Sequence, residues 1–130
     1  MPLAWDPQYA IGDAALDAQH REIILRLRWL GDAIGGEEPE RAGTALHELA
    51  ELVKSHFADE ERWMAKRGYP HLARHAESHG ACLESLALAV RLHAEAGMSE
   101  RFVEVIERVA RWLDVHLRSE DLRLGRHRPE

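Results

Sequence analysis

Three clusters of glycine and proline, at Gly35-Gly36-Glu37-Glu38-Pro39, Gly68-Tyr69-Pro70 and Gly97-Met98-Ser99, divide this 130-residue chain into four segments. Glycine just past the end of one helix and proline just inside the start of the next are the expected punctuation. Within each segment the core-type residues recur three and four apart, the spacing of a helix with one buried stripe. The stripes read Leu16, His20, Ile23, Leu27, Leu30, Ile34; then Leu46, Leu49, Val53, His56, Glu60, Trp63; then Leu72, His75, His79, Cys82, Leu86, Ala89; and finally Phe102, Ile106, Val109, Leu113, His116. Helices are expected over about 16–34, 39–66, 71–96 and 100–124, behind an irregular arm over 1–15 that carries Trp5, Tyr9 and Gly12. Connections this short favour antiparallel neighbours, so the expected architecture is an all-α, up-down-up-down four-helix bundle forming one domain over 1–130.

Every stripe carries at least one histidine where an apolar side chain is called for. In an up-down bundle the start of one helix lies level with the end of the next. His20 is early in the first helix, His56 and Glu60 late in the second, His75 and His79 early in the third, and His116 late in the fourth. All six therefore fall in one layer near one end. His47 and Glu51 share the His56–Glu60 spacing but lie off the stripe, which marks them as a decoy. The fourth helix offers Glu120 and Asp121 beyond His116. A regular helix would aim Glu120 inward and carry Asp121 about 140° round, so an inward Asp121 requires a local π-type widening.

Five imidazoles and one or two carboxylates in a single layer suit a divalent first-row metal, with iron, manganese and zinc all chemically possible. The donors exceed what one tetrahedral zinc uses, so two metals sharing a bridging carboxylate are the economical reading. Left without a cation, stacked buried polar groups would be costly. Of the other histidines, His47, His71 and His127 are expected in solvent, and His93 falls at the far end of the bundle. Cys82 is read as a small buried hydrophobe, and Trp63 and Trp112 as core packing beside the site.

The formal net charge of −6, with basic residues scattered, argues against a nucleic-acid partner. No apolar run approaches the roughly 20 residues of a membrane span, and the first residues do not read as a secretion signal. The expectation is a soluble cytoplasmic protein. Its single cysteine cannot form an internal disulfide.

These motifs together resemble the hemerythrin family. Leu16-Asp-Ala-Gln-His20, His56-Phe-x-x-Glu60-Glu, His75-x-x-x-His79 and His116-x-x-x-x-Asp121 match its ligand pattern, Trp5-Asp-Pro-Gln-Tyr9-Ala-Ile-Gly12 its N-terminal arm, and Tyr69-Pro70 its turn before the third helix. The resemblance implies two non-haem iron ions bridged by Glu60, Asp121 and a solvent-derived oxo or hydroxo group. One iron would take His75, His79 and His116; the other would take His20 and His56 and keep an open position where dioxygen binds reversibly. Phe57, Trp112, Leu113 and Leu117 neighbour these ligands and would form a dry oxygen pocket. After Asp121 the pattern weakens, with Gly125 stopping the helix, so a looser closure is expected there.

The implied function is oxygen storage, transport or delivery rather than enzymatic turnover, with dioxygen as ligand and an oxygen-consuming enzyme or signalling protein as the conceivable protein partner. The competing readings are a sensor of oxygen, nitric oxide or redox state, and a di-iron oxidase or peroxidase. The His-rich donor set disfavours the latter, because oxygen-activating bundles use Glu-rich sites.

Overall fold

The computed structural model describes residues 11–118, which form four α-helices and no strand: α1 (Ala14–Gly35), α2 (Pro39–Lys66), α3 (Leu72–Ala96) and α4 (Glu100–Arg118). This is the all-α four-helix bundle expected from the stripes. Trp5, Tyr9, Glu120, Asp121 and His127 lie outside the described residues, as do the expected end of the fourth helix and its widened turn.

Local chemistry sets the helix ends. Helix α1 starts at Ala14, two positions before the apolar stripe, because Asp13 caps it by accepting from the Leu16 N–H at 3.0 Å. Asp17 reaches back to accept from the Ile11 N–H at 2.7 Å, tying the incoming chain to the first turn. Pro39 opens α2, where a missing N–H costs nothing. At the far end of α2, Gly68 takes φ +62°, and the Tyr69 N–H returns to the Met64 carbonyl at 3.0 Å, closing the helix. Gly97 ends α3 with the same φ and donates to the His93 carbonyl at 2.8 Å. Both positions need a residue that enters the left-handed region without a Cβ clash.

Cross-helix contacts show the antiparallel order. Gln19 and His20 of α1 meet Asp59 and Glu60 of α2, whereas Arg26, further along α1, pairs with Glu48, earlier on α2. Glu60 meets His75 while His93 reaches back to Pro39, and His79 meets His116 while His93 lies against Phe102. Among the described residues no helix is long and apolar enough to cross a membrane.

Two apolar clusters make the core. The larger runs along the bundle and includes Ile23, Leu30, Leu46, Leu49, Leu86, Phe102, Ile106 and Leu113. The smaller, Ile11, Leu16, Met64 and Tyr69, closes one end, with Trp63 and Leu72 packed on it. On α1, α2 and α3 the polar core residues lie at or beside the boundary between the two, and on α4 His116 lies between Leu113 and Leu117 of the larger one. Here the expected α2 stripe needs one correction: Met64 is fully buried, while Trp63 is partly exposed and carries the Arg67 guanidinium 3.9 Å over its ring. At about 100° per residue the eighteen positions from Leu46 to Met64 complete five turns, so Met64 realigns with the stripe and Trp63 falls about 100° off it.

Candidate metal centre

Each of α1 to α4 sends histidine side chains into one dry layer. His20, His56, Glu60, His75, His79 and His116 are each no more than 3% exposed, and Glu60 is fully buried. All six sit on the stripe of their helix that also carries its buried apolar residues, so the stripe that builds the core aims them inward.

Glu60 divides the layer. Its Oε1 lies 2.7 Å from His75 Nε2 and 3.1 Å from His79 Nε2, and its Oε2 lies 3.1 Å from His56 Nε2 and 3.4 Å from His20 Nε2. His116 Nε2 stands 3.1 Å from His79 Nε2. Two groups of donors result, Glu60 with His75, His79 and His116, and Glu60 with His20 and His56; within each, the donor atoms converge within 4.8 Å, close enough to hold a metal ion. Burial pushes the Glu60 carboxyl upward, but in the metal-free layer contacts from the imidazoles around it, His20, His56, His75 and His79, which donate when protonated on Nε2, outweigh burial and hold the group well below the usual carboxylate range. The site thus presents an ionised carboxylate in a buried layer.

The donor set fits a cation. His79 Nδ1 is 3.0 Å from Glu61 Oε2, which as a carboxylate oxygen accepts, so Nδ1 carries a proton, and in the neutral ring the Nε2 lone pair faces Glu60. A lone pair 3.1 Å from a carboxylate oxygen is repulsive unless a positive charge lies between them. His56 Nε2 gives the same sign: it is buried and makes no hydrogen bond, since its 3.1 Å approach to Glu60 is not aligned for one. Five rings crowd two carboxylate oxygens, and charging them all with protons would set several imidazolium ions side by side in a low-dielectric layer. A metal satisfies the same atoms at once.

Aromatic rings wall the three-histidine group. Phe57 stacks on His79 with centroids 3.8 Å apart, Trp112 stacks on His116 at 4.3 Å, and the two aromatic rings meet edge-on at 5.9 Å. Leu113 and Leu117 are buried in the larger cluster together with Ile23, one turn on from His20. The structure therefore brings together six of the seven expected donors and places all four expected pocket residues beside them or in the adjoining core; Asp121 is outside the described residues. His47 is exposed, in keeping with its off-stripe position, and His93 lies on Pro39 at the other end.

Sequence reasoning missed the polar partners behind the donors. Glu61 on His79, and Gln19 on His56 with Asp59 behind it, are each next to a donor in the chain. One residue along a helix is a rotation of about 100°, enough to carry a side chain from the core to the neighbouring helix. Adjacency to a donor was the available signal.

A helical bundle that seals a histidine-rich, carboxylate-centred cation site into its core is a metal-binding protein of the bundle-core type. The chain belongs to the hemerythrin family: the model of the hemerythrin HHE cation binding domain matches residues 12–126. It is 34% identical over 119 residues to a bacteriohemerythrin of Stenotrophomonas maltophilia, a match covering 92% of this chain and 76% of that one. A bacteriohemerythrin of Pseudomonas aeruginosa is 29% identical over 120 residues, with the same coverage. A myohemerythrin of Theromyzon tessulatum is 27% identical over 122 residues, 94% of this chain and 90% of its own.

Proposed function

We propose that this chain binds dioxygen reversibly at a pair of non-haem iron ions, as a carrier or store rather than as an enzyme. The observation that carries the reading is the division of Glu60, whose two oxygens face two separate sets of imidazoles. Glu60 Oε1 with His75, His79 and His116 would hold one iron, and Glu60 Oε2 with His20 and His56 the other. Asp121 would be a second shared carboxylate and a solvent-derived oxo or hydroxo group the third bridge, both on the strength of the family pattern. Bound iron supplies the electrons that let dioxygen be taken up and given back.

The protein's own part is positional and exclusionary. The group of His20 and His56 has one imidazole fewer than its neighbour, which makes it the half with room for an external ligand. Phe57 and Trp112 cover the three-histidine half, and Leu113 and Leu117 continue the apolar wall, keeping water and proton donors from the layer. Apolar walls favour a small uncharged gas over water.

The deciding experiment measures iron content and the visible spectrum of anaerobically reduced protein, before oxygen, after oxygen and after its removal. Two irons per chain and a colour that appears with oxygen and bleaches without it are expected. Irreversible oxidation in one step, with no reversible colour, would overturn the carrier reading.

A further inference from the structure

We infer that Gln19, held in orientation by Asp59, is a positioning residue that fixes His56 with its proton on Nδ1 and its Nε2 lone pair aimed into the metal layer. The inference deepens the proposed metal site and rests on that reading. It begins at the surface, where the Arg62 guanidinium pairs with Asp59 Oδ1. Asp59 is then a carboxylate, which accepts hydrogen bonds and donates none. Its other oxygen, Oδ2, lies 2.9 Å from Gln19 Nε2, so the amide must turn its NH2 toward Asp59. That turn leaves Gln19 Oε1 facing inward, 2.7 Å from His56 Nδ1. A carbonyl oxygen cannot donate, so the proton belongs to His56 Nδ1. In a neutral imidazole the other nitrogen, Nε2, is then unprotonated.

Each link removes one ambiguity from the next. An amide alone could flip, presenting its NH2 to His56 and leaving the histidine proton on Nε2, where it would block a metal. Asp59 forbids the flip. The chain of contacts runs from Asp59, whose side chain is 34% exposed, inward to His56, which is 1% exposed, and its outer members Asp59 and Gln19 line a cleft of about 240 Å³ with Asp13, Trp63 and Lys66. It also accounts for the buried His56 Nε2 that makes no hydrogen bond. The three-histidine half uses a different device, since His79 Nδ1 meets the Glu61 carboxylate directly. A carboxylate needs no second residue to orient it; an amide does.

The test compares metal-free wild-type protein, Gln19→Leu and Gln19→Glu by 15N NMR of the His56 ring, then titrates each with Co2+ by calorimetry. Wild type should show His56 protonated on Nδ1 and bare on Nε2. Gln19→Leu should redistribute the proton toward Nε2 and weaken one of two cobalt-binding steps by about 10–100-fold, the usual effect of losing such a partner. Gln19→Glu keeps an acceptor facing His56 but sets its second oxygen against the Asp59 carboxylate, so it should restore the wild-type ring spectrum and most of the affinity when combined with Asp59→Asn, whose NH2 donates to the new carboxyl. A wild-type His56 protonated on Nε2 overturns the inference, and that measurement decides even if Gln19→Leu fails to fold. Unchanged ring shifts and cobalt binding in folded Gln19→Leu overturn it as well. Wild-type protein that shows the stated tautomer but binds no cobalt instead removes the metal reading, leaving the geometric assignment of Gln19 standing.

Discussion

Phe57 lies flat on His79, with ring planes 1° from parallel and centroids 3.8 Å apart. Phe57 belongs to the apolar core and His79 to the donor layer, so the pair joins stability to metal retention. Truncating a buried phenylalanine costs about 3–5 kcal/mol through lost contacts and the cavity left behind. Phe57→Ala is expected to lose stability of that order in urea unfolding of the metal-free protein, and to release iron to a chelator faster than wild type. Unchanged release from a destabilised variant would show that the ring supports the fold without sealing the site.

Glu60→Gln tests the shared carboxylate. Glutamine keeps one acceptor oxygen and replaces the other with an NH2 that cannot ligate a cation. Iron per chain, measured by elemental analysis after reconstitution, is expected to fall from two to one or fewer. Two tightly held irons in this variant would remove Glu60 from the role proposed for it.

At the opposite end of the bundle, a methyl group on Gly43 would come within 2.6 Å of His93 Cε1, and that ring is pinned by a 2.7 Å bond from Nε2 to the Pro39 carbonyl. Gly43→Ala should therefore gain helix propensity, about 1 kcal/mol, but lose the seated histidine. Losing that hydrogen bond together with the ring's contact on Phe102 costs about 2 kcal/mol, so the net effect is expected to be destabilising by about 1 kcal/mol. In a His93→Ala background the same substitution should become stabilising. A double-mutant cycle by chemical denaturation reads the change of sign directly.

Cys82 gives a pH dependence at the alkaline end. Burial pushes its thiol from 9.0 up to about 12. Above pH 9.0 the unfolded chain releases this proton while the folded chain keeps it, so stability falls as pH rises from 9.0 toward 12. The slope from this group is at most about 1.4 kcal/mol per pH unit. Unfolding free energies of wild type and Cys82→Ala between pH 8 and pH 10.5 should diverge in slope, with the variant flatter; parallel curves would contradict the argument.

The bundle and the level of its metal layer were legible because both depend on periodicity and on short connections. A histidine that replaces leucine in a stripe is aimed by the same geometry, which is why His20, His56 and His116 could be placed from spacing. Trp63 shows where that logic loosens. A strict alternation of three and four drifts from the true helical repeat, and after five turns it selects the neighbour of the residue that is buried. Ile24 and Ala33 were missed for a related reason, since a helix packed on two neighbours buries a stripe wider than a single line. Adjacency to a donor pointed to Gln19, Asp59 and Glu61 only weakly, because each sits on a helix flank, where polar residues ordinarily face water. Only the neighbouring helix shows which ones face a histidine.

The two sets of donors also differ in when they come into being. His20, His56 and Glu60 all belong to the α1–α2 hairpin, whereas the other set waits for His116 near the end of α4. Ribosomal synthesis proceeds from the N-terminus at about 5–20 residues per second. For a few seconds of each molecule's birth, His20, His56 and Glu60 are already in the chain while the other set lacks its last histidine, so the half proposed to have room for an external ligand is the first to have all its imidazoles.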